Sequence, residues 1–431
     1  MSPSSIHRLA ALSLAVAIGL PVSAQVAAPA GPLPAATAAA EGLSADRLAR
    51  MHERLDRFVT EGQIAGAISL VARRGRIVDV HVTGLRDREQ RLPMTRDTIV
   101  RIYSMSKIVT SVAALMLVEE GRLRLEDPIG LYLPNLATPR VFTGGTAAAP
   151  NLADAARPIT IRHLLTHTSG LAYGLTSSTV DDMYRDARLM QARSSDDFVA
   201  RVAALPLIAQ PGERFYYGVN TDLLGIIIEK ISGQRLGEFM QARIFGPLGM
   251  ADTGFGVPAA HRHRLARVYR RENNGPLTAV ASVTTGTNGG TEAPYPDPDG
   301  RLFPSGGGGL FSTADDYARF AQMLLDGGAL DGVRILGRKT VETMRSDQNG
   351  RLPQRSPSHS GFGLGVSVRL DQAGGAPGGS VGEFGWSGAA TTMVKIDPQE
   401  GSVVILLAQH LPGNQPGIYG VFSTMVNAAI E

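Results

Sequence analysis

Between Ser44 and Gln63 apolar residues recur at intervals of three and four, at Leu48, Met51, Leu55, Phe58 and Val59. This spacing predicts an amphipathic helix with one buried stripe. The pattern then shortens. Ala67–Ala72 and Ile77–Val82 are β-branched-rich runs around Arg73-Arg74-Gly75-Arg76, which predicts a hairpin with Gly75 free to take positive φ. A second strand group lies at Gly363–Leu370, Thr391–Ile396 and Ser402–Ala408, the last two joined by Asp397-Pro398-Gln399-Glu400-Gly401. Hairpin neighbours pair antiparallel, so the two ends of the chain are expected to meet in one sheet, with the stretch between them inserted. The predicted domain runs over 41–431, its α/β part about 41–121 and 310–431 and its mostly helical insertion about 122–309. Val421–Ile430 predicts a closing helix. Residues 137–158 and about 265–309, rich in Gly, Pro, Ala, Thr and Asn, are expected to form long loops of the kind that rim binding sites.

The N-terminal stretch follows another logic. Arg8 precedes an apolar run from Leu9 to Leu20 and then Pro21-Val22-Ser23-Ala24, the pattern of a secretory signal peptide cut after a small residue. Residues 1–24 are therefore expected to be removed and 25–40 to form a flexible linker, leaving the protein periplasmic or secreted. Twelve residues rising 1.5 Å each reach about 18 Å, short of the ~30 Å hydrocarbon core, so no stable membrane insertion is expected after cleavage.

Composition narrows the chemistry. The 431 residues include no Cys, which excludes disulfide frameworks, Cys-bearing zinc sites and cysteine nucleophiles. With 42 basic and 39 acidic residues the formal charge is +3, and no like-charged block favours nucleic acid or an anionic membrane. Only four of the basic residues are lysines: Lys107, Lys230, Lys339 and Lys395.

One of them stands in Ser104-Met105-Ser106-Lys107, ahead of the apolar run Ile108, Val109, Val112, Ala113, Leu115 and Met116. A buried helix is expected to begin at or beside Ser104. Residues three apart share a helix face, so the Ser104 hydroxyl and the Lys107 amine can meet near a helix N-terminus. A serine needs a base to become a nucleophile, and a lysine desolvated among apolar side chains gives up part of its preference for the charged form. With 28 serines in the chain the spacing alone is not specific, and an N-cap serine beside a solvated lysine reads equally well.

Context decides between them. Ser104 to Lys107 resembles the first motif of the serine β-lactamases and penicillin-binding proteins. Three further stretches extend the likeness: Ile159 to Leu171, Pro211-Gly212-Glu213-Arg214-Phe215-Tyr216-Tyr217, and Gly306–Leu310 with Ser312-Thr313-Ala314-Asp315-Asp316-Tyr317. With Trp386-Ser387-Gly388 they make residues 44 to about 425 similar to the class C β-lactamases and especially to the family VIII carboxylesterases. The resemblance implies a β-lactamase/transpeptidase-like fold of the α/β (α+β) kind, a central antiparallel sheet flanked by helices. It implies Ser104 as nucleophile, Lys107 as base and Tyr217 as proton relay, with the NH groups of Ser104 and Ala389 as oxyanion hole. Tyr216 competes for the relay role, and Tyr217 keeps the register of Thr221-Asp222-Leu223-Leu224 as the following helix. The family's second motif is Tyr two residues before Asn or Ser, whereas Val219 stands there and Asn220 comes one place late. Val219, Asn220, Trp386, Ser387 and Gly388 are expected to bind substrate. Where the β-lactamases carry Lys-Thr-Gly or His-x-Gly, Trp386-Ser387-Gly388 offers no cation for a substrate carboxylate.

The expected activity is hydrolysis of carboxylic esters through an acyl-enzyme released to water or an alcohol, on a small-molecule ester or amide, with no cofactor, no metal and no nucleic acid. The alternatives are a β-lactamase or D-alanyl-D-alanine carboxypeptidase, and a non-catalytic penicillin-binding relative. Gly378-Gly379-Ser380-Val381-Gly382 matches G-x-S-x-G, with Asp397 and His410 following. It lacks the strand before and the helix after that a nucleophile elbow requires. His163 with His167, and His261 with His263, have no H-E-x-x-H glutamate and read as helix-end packing. Ser312 and Asp315 read as a capping box.

Overall fold

The structure is a computed structural model and describes residues 31–280 and 303–431, apart from 274, 351, 353–359, 374–375 and 416. The leader reading for residues 1–24 lies outside them. Eight strands form the central sheet: β1 (Gly66–Arg73), β2 (Arg76–Asp87), β3 (Leu92–Pro93), β4 (Ser360–Phe362), β5 (Ser367–Arg369), β6 (Phe384–Gly388), β7 (Thr392–Asp397) and β8 (Ser402–Ala408). Their order is β4-β5-β6-β7-β8-β1-β2-β3, with antiparallel pairing between neighbours. The two ends of the chain meet where β1 pairs β8, Leu70 opposite Ile405.

Period-two alternation explains why the sheet is covered on both faces. Val404, Leu406 and Ala408 of β8, with Ala67 and Val71 of β1, pack on α1 (Ala45–Thr60) and on the last helix (Ile418–Ala429). Val403, Ile405 and Leu407, with Ile68, Leu70 and Ala72, enter the larger core shared with α2 (Ser106–Glu119) and α5 (Ala314–Leu325). A strand buried on both sides reads as an unbroken apolar run, which is how Val403 to Ala408 appears in the sequence. The β1–β2 turn places Arg74 at φ 49° and Gly75 at φ 78°, the two left-handed residues that the tight hairpin needs.

Between the sheet halves lie α3 (Ile161–Leu165), α4 (Asn220–Ser232) and further helical segments at Thr179–Asp186 and Ser195–Ala203. Four local readings change. Residues 137–158 are not a loop but contain an antiparallel hairpin, Arg140–Gly145 with Pro150–Asp154. The run Gly363–Leu370 splits, because residues 363–366 turn over α2: Gly363 NH donates to Val366 O at 2.8 Å, and a Cβ on Gly365 would stand 2.0 Å from Ser111 Oγ. The linker assigned to 25–40 is fixed at its end. Leu33 is buried, and Ile77 NH donates to Pro34 O at 2.8 Å. The capping group of α5 is Thr313, whose hydroxyl accepts from Asp316 NH at 3.2 Å, one residue after the expected Ser312 and Asp315.

Candidate active site

Ser104 stands in a one-turn 3₁₀ segment, Tyr103–Met105, that leads into α2. The turn is held from several sides. Ile102 NH donates to Leu310 O at 3.1 Å, Leu310 NH to Ser106 Oγ at 3.1 Å, and the Tyr317 hydroxyl to Met105 O at 2.9 Å. Tyr103 takes φ 46°, a left-handed conformation that costs a bulky residue free energy and persists only where its surroundings over-determine it. Its effect is to present Ser104, partly exposed, at the mouth of an otherwise buried helix.

α2 is apolar nearly all round, and Lys107 lies in it only 1% exposed. Its Nζ lies 3.3 Å from Ser104 Oγ, 3.1 Å from Tyr173 Oη and 2.6 Å from Gly307 O. The other three lysines pair instead with Asp196, Glu342 and Glu383. Tyr173 donates to Asp222 Oδ2 at 2.9 Å. Burial first, then the Asp222 carboxylate and Tyr217, hold the Tyr173 phenol protonated well above its ordinary range. Asp222, in the first turn of α4, is fully buried and also accepts from Ser305 Oγ at 2.5 Å and Gly307 NH at 3.1 Å.

The two adjacent tyrosines diverge. The Tyr217 ring centroid lies 4.8 Å from Lys107 Nζ, and Trp386 Nε1 donates to Tyr217 Oη at 3.3 Å. Tyr216 turns away to donate to Asp181. Burial alone would raise the Asp181 carboxyl, but hydrogen bonds from Thr176, Tyr216, Gly174 NH and Ser178 hold it below its usual value. That carboxylate thereby ties down the loop 174–178 that follows Tyr173.

His167 supports Tyr217 from behind, with ring centroids 4.7 Å apart. Its Nδ1 accepts from Gly218 NH at 3.3 Å and faces Asn220 Nδ2 at 2.8 Å. Burial above all keeps the imidazole neutral well below its ordinary pKa. The partners of Asn220 are thus His167 and the Ser169 hydroxyl. Asn220 is fully buried and Val219 only 1% exposed within the main core. Both side chains, expected to bind substrate, are buried at the start of α4.

The last wall is β6. Trp386 packs on Tyr217 and, edge to face, on Phe362 at 5.2 Å. β5 pairs β6 only as far as Gly385, so Trp386, Ser387 and Gly388 lie beyond that pairing. A Cβ on Gly388 would stand 2.4 Å from Ile102 O, and Thr392 Oγ1 donates to that same oxygen at 3.1 Å. The strand end is therefore pressed against the turn bearing Ser104, and Ala389 packs in the small cluster containing Tyr103.

The remaining motifs lie elsewhere. Asp397 accepts from the NH groups of Ser380, Gln399 and Glu400 and closes a turn, while the backbone of His410 pairs with that of Tyr269. His163 belongs to the Thr160 cap of α3. His261 pairs with Asp252. Among the described residues no group of three or more His, Asp or Glu is placed to hold a metal ion, and no helix is long and apolar enough to cross a membrane. Motif reading missed Tyr173, Asp222 and the Gly307 carbonyl. Asp222 left a signal, as an acidic residue in the first turn of an otherwise apolar helix; Tyr173 and Gly307 left none by spacing.

A family model described as Beta-lactamase matches residues 51–421. Esterase EstB of Burkholderia gladioli is 31% identical over 386 residues, covering 84% of this chain and 91% of the relative. Lovastatin esterase of Penicillium rubens is 33% identical over 305 residues, covering 70% and 73%. The solved structure of EstCE1, described as a hydrolase with promiscuous acyltransferase activity, superposes with TM-score 0.75 at 27% identity, covering 89% of this chain and 98% of that one. Match and fold together place this chain in the Beta-lactamase family, as a serine hydrolase.

Proposed function

We propose that the protein cleaves carboxylic esters of small, uncharged substrates through an acyl-enzyme on Ser104. The observation that carries this reading is the meeting of Lys107 Nζ with Ser104 Oγ at 3.3 Å, inside a wall of Tyr173, Tyr217 and Trp386. Lys107 takes the serine proton as Ser104 Oγ attacks the ester carbon, and the oxyanion forms between the NH groups of Ser104 and Ala389. Tyr217, whose oxygen already accepts from Trp386, hands a proton to the departing alkoxide. Water then attacks the acyl group by the reverse use of the same residues, and the names of the acyltransferase relatives support an alcohol as a second acceptor.

The test is covalent labelling with a fluorophosphonate, read by mass spectrometry, beside turnover of p-nitrophenyl butyrate. Ser104→Ala is expected to abolish both, since loss of a nucleophile can cost on the order of 10⁶ in kcat; Ser380→Ala is expected to leave both within a few-fold of wild type. Labelling at Ser380 overturns the assignment, and no labelling at all favours a non-catalytic penicillin-binding relative. We also propose secretion with cleavage after Ala24, which N-terminal sequencing of the mature protein checks.

A further inference from the structure

A tetrahedral amine nitrogen has four directions, one taken by its own carbon. At Lys107 the other three face Gly307 O, Tyr173 Oη and Ser104 Oγ. The carbonyl can only accept, so the first direction carries an N–H. A phenol can either accept or donate, and here its proton is already committed: Tyr173 donates to Asp222 Oδ2, so the second direction carries an N–H as well. Only the third direction is left for a lone pair. It points at the serine hydroxyl.

We propose that Asp222 is a positioning residue for ester hydrolysis: by fixing the direction of the Tyr173 hydroxyl, it leaves the Lys107 lone pair nowhere to point but at Ser104. The inference rests on the assignment of Ser104 as nucleophile and Lys107 as base. Asp222 serves both partners at once, because its Oδ1 accepts from Gly307 NH and Ser305 Oγ while its Oδ2 accepts from Tyr173. The fit is close: a Cβ on Gly307 would stand 2.5 Å from Asp222 Oδ2 and 2.7 Å from Tyr173 Oη. Without the carboxylate, Tyr173 is free to turn its proton onto the Lys107 lone pair. The base would then be occupied by a neighbour rather than by its substrate proton.

Asp222→Asn turns this into an experiment. Gly307 NH can only donate, so the amide oxygen belongs at the Oδ1 position, which puts the amide NH₂ against Tyr173. Tyr173 must then accept from Asn and donate to Lys107. Asp222→Asn is expected to lower kcat/KM for p-nitrophenyl butyrate by about 10² to 10³-fold, within the range of base catalysis. Tyr173→Phe, which removes the competing donor along with one acceptor, is expected to cost about 10-fold. The double variant is expected to recover to within about 3-fold of Tyr173→Phe, a rescue that a purely structural role for Asp222 would not give. Multiplying effects, or Asp222→Asn within about 3-fold of wild type, overturns the proposal. Should Asp222→Asn fail to reproduce the wild-type circular dichroism and melting curve, the hydroxyl proton decides by NMR. A slowly exchanging downfield proton that is present in wild type and lost in Tyr173→Phe supports the proposal, and its absence in wild type overturns it. Fluorophosphonate labelling separates the two levels. Wild type labelled at Ser104 without the rescue removes the role of Asp222 alone, whereas wild type unlabelled at Ser104 removes the functional reading and this inference with it.

Discussion

Lys107 has a buried stem and three defined partners, and an amine three residues from its serine leaves a spacing signal that the surrounding motifs make specific. The partners that fix its direction leave no such signal, because Tyr173, Asp222 and Gly307 come from three separate segments that only the fold brings together. Lys107→Arg is expected to be nearly as damaging as Lys107→Ala, about 10² to 10⁴-fold in kcat, although charge is retained. A guanidinium stays protonated at working pH and cannot accept the serine proton; half the activity remaining would place the base elsewhere. The tyrosines make a second contrast. Tyr217→Phe removes the hydroxyl beside Trp386 and is expected to cost about 10²-fold with the fold intact. Tyr216→Phe removes a donor to Asp181 and is expected to lower the melting temperature more than it lowers kcat. The reverse outcome, measured on the same ester, would show that Tyr216 is the relay.

At the level of elements the sequence was legible wherever periodicity was local: α1, the β1–β2 hairpin, β7, β8 and the closing helix stand within a few residues of expectation. It failed where neighbours in space set the bend. The turn at 363–366 is shaped by Ser111 beneath Gly365, and in the hairpin within 140–154 the short strand-forming run Val141-Phe142-Thr143 is cut off by Gly144, Gly145 and Pro150, with a register shift between Phe142 and Gly144. β6 carries the sharpest consequence for function. Gly388→Ala would bring a methyl against Ile102 O and Thr392 Oγ1, forcing the strand end away from the turn of Ser104 and opening the space between the two NH groups. A loss of about 10² to 10³ in kcat is expected, comparable to removing one oxyanion donor, with little change in KM. α1 offers a prediction of another kind. His52 and His81 stack at 4.3 Å, and each pairs with an aspartate, Asp79 and Asp56. The hydrogen bond to Asp79, opposed in part by burial, raises the His52 pKa above its ordinary value. A raised histidine contributes stability that is fully present below its unfolded value near 6.5 and is lost as pH rises through the folded value. His52→Gln should therefore lower the melting temperature by about 2 °C at pH 5.5 and leave it unchanged at pH 9. An equal loss at both would mean that the ion pair holds nothing.

For the whole molecule the question is which acyl donor the assembled site accepts, and the answer turns on charge. The sheet brings β6 from the C-terminal half against a helix from the N-terminal half and a tyrosine from the insertion. The surface so formed is aromatic: Tyr173 on Tyr217, Tyr217 on Trp386, Trp386 on Phe362. Lys107, the amine in its midst, has its three directions already taken. A β-lactam carries a carboxylate beside the reacting carbonyl, and enclosing that anion without a cation costs several kcal/mol unless water or other donors reach it. An uncharged ester loses nothing on the same surface and gains from burying its acyl chain against Trp386. The kcat/KM for p-nitrophenyl butyrate is therefore expected to exceed that for nitrocefin by at least about 10²-fold, equivalent to ~2.7 kcal/mol in transition-state binding. Trp386→Lys should narrow the gap mainly by weakening the ester reaction. It removes the apolar wall and the indole donor to Tyr217 together, whereas a single added ammonium need not stand where the lactam carboxylate lies. Comparable efficiency on the two substrates in wild type would require an arginine from another segment to reach the carboxylate, and the site would then be that of a β-lactamase as much as of an esterase.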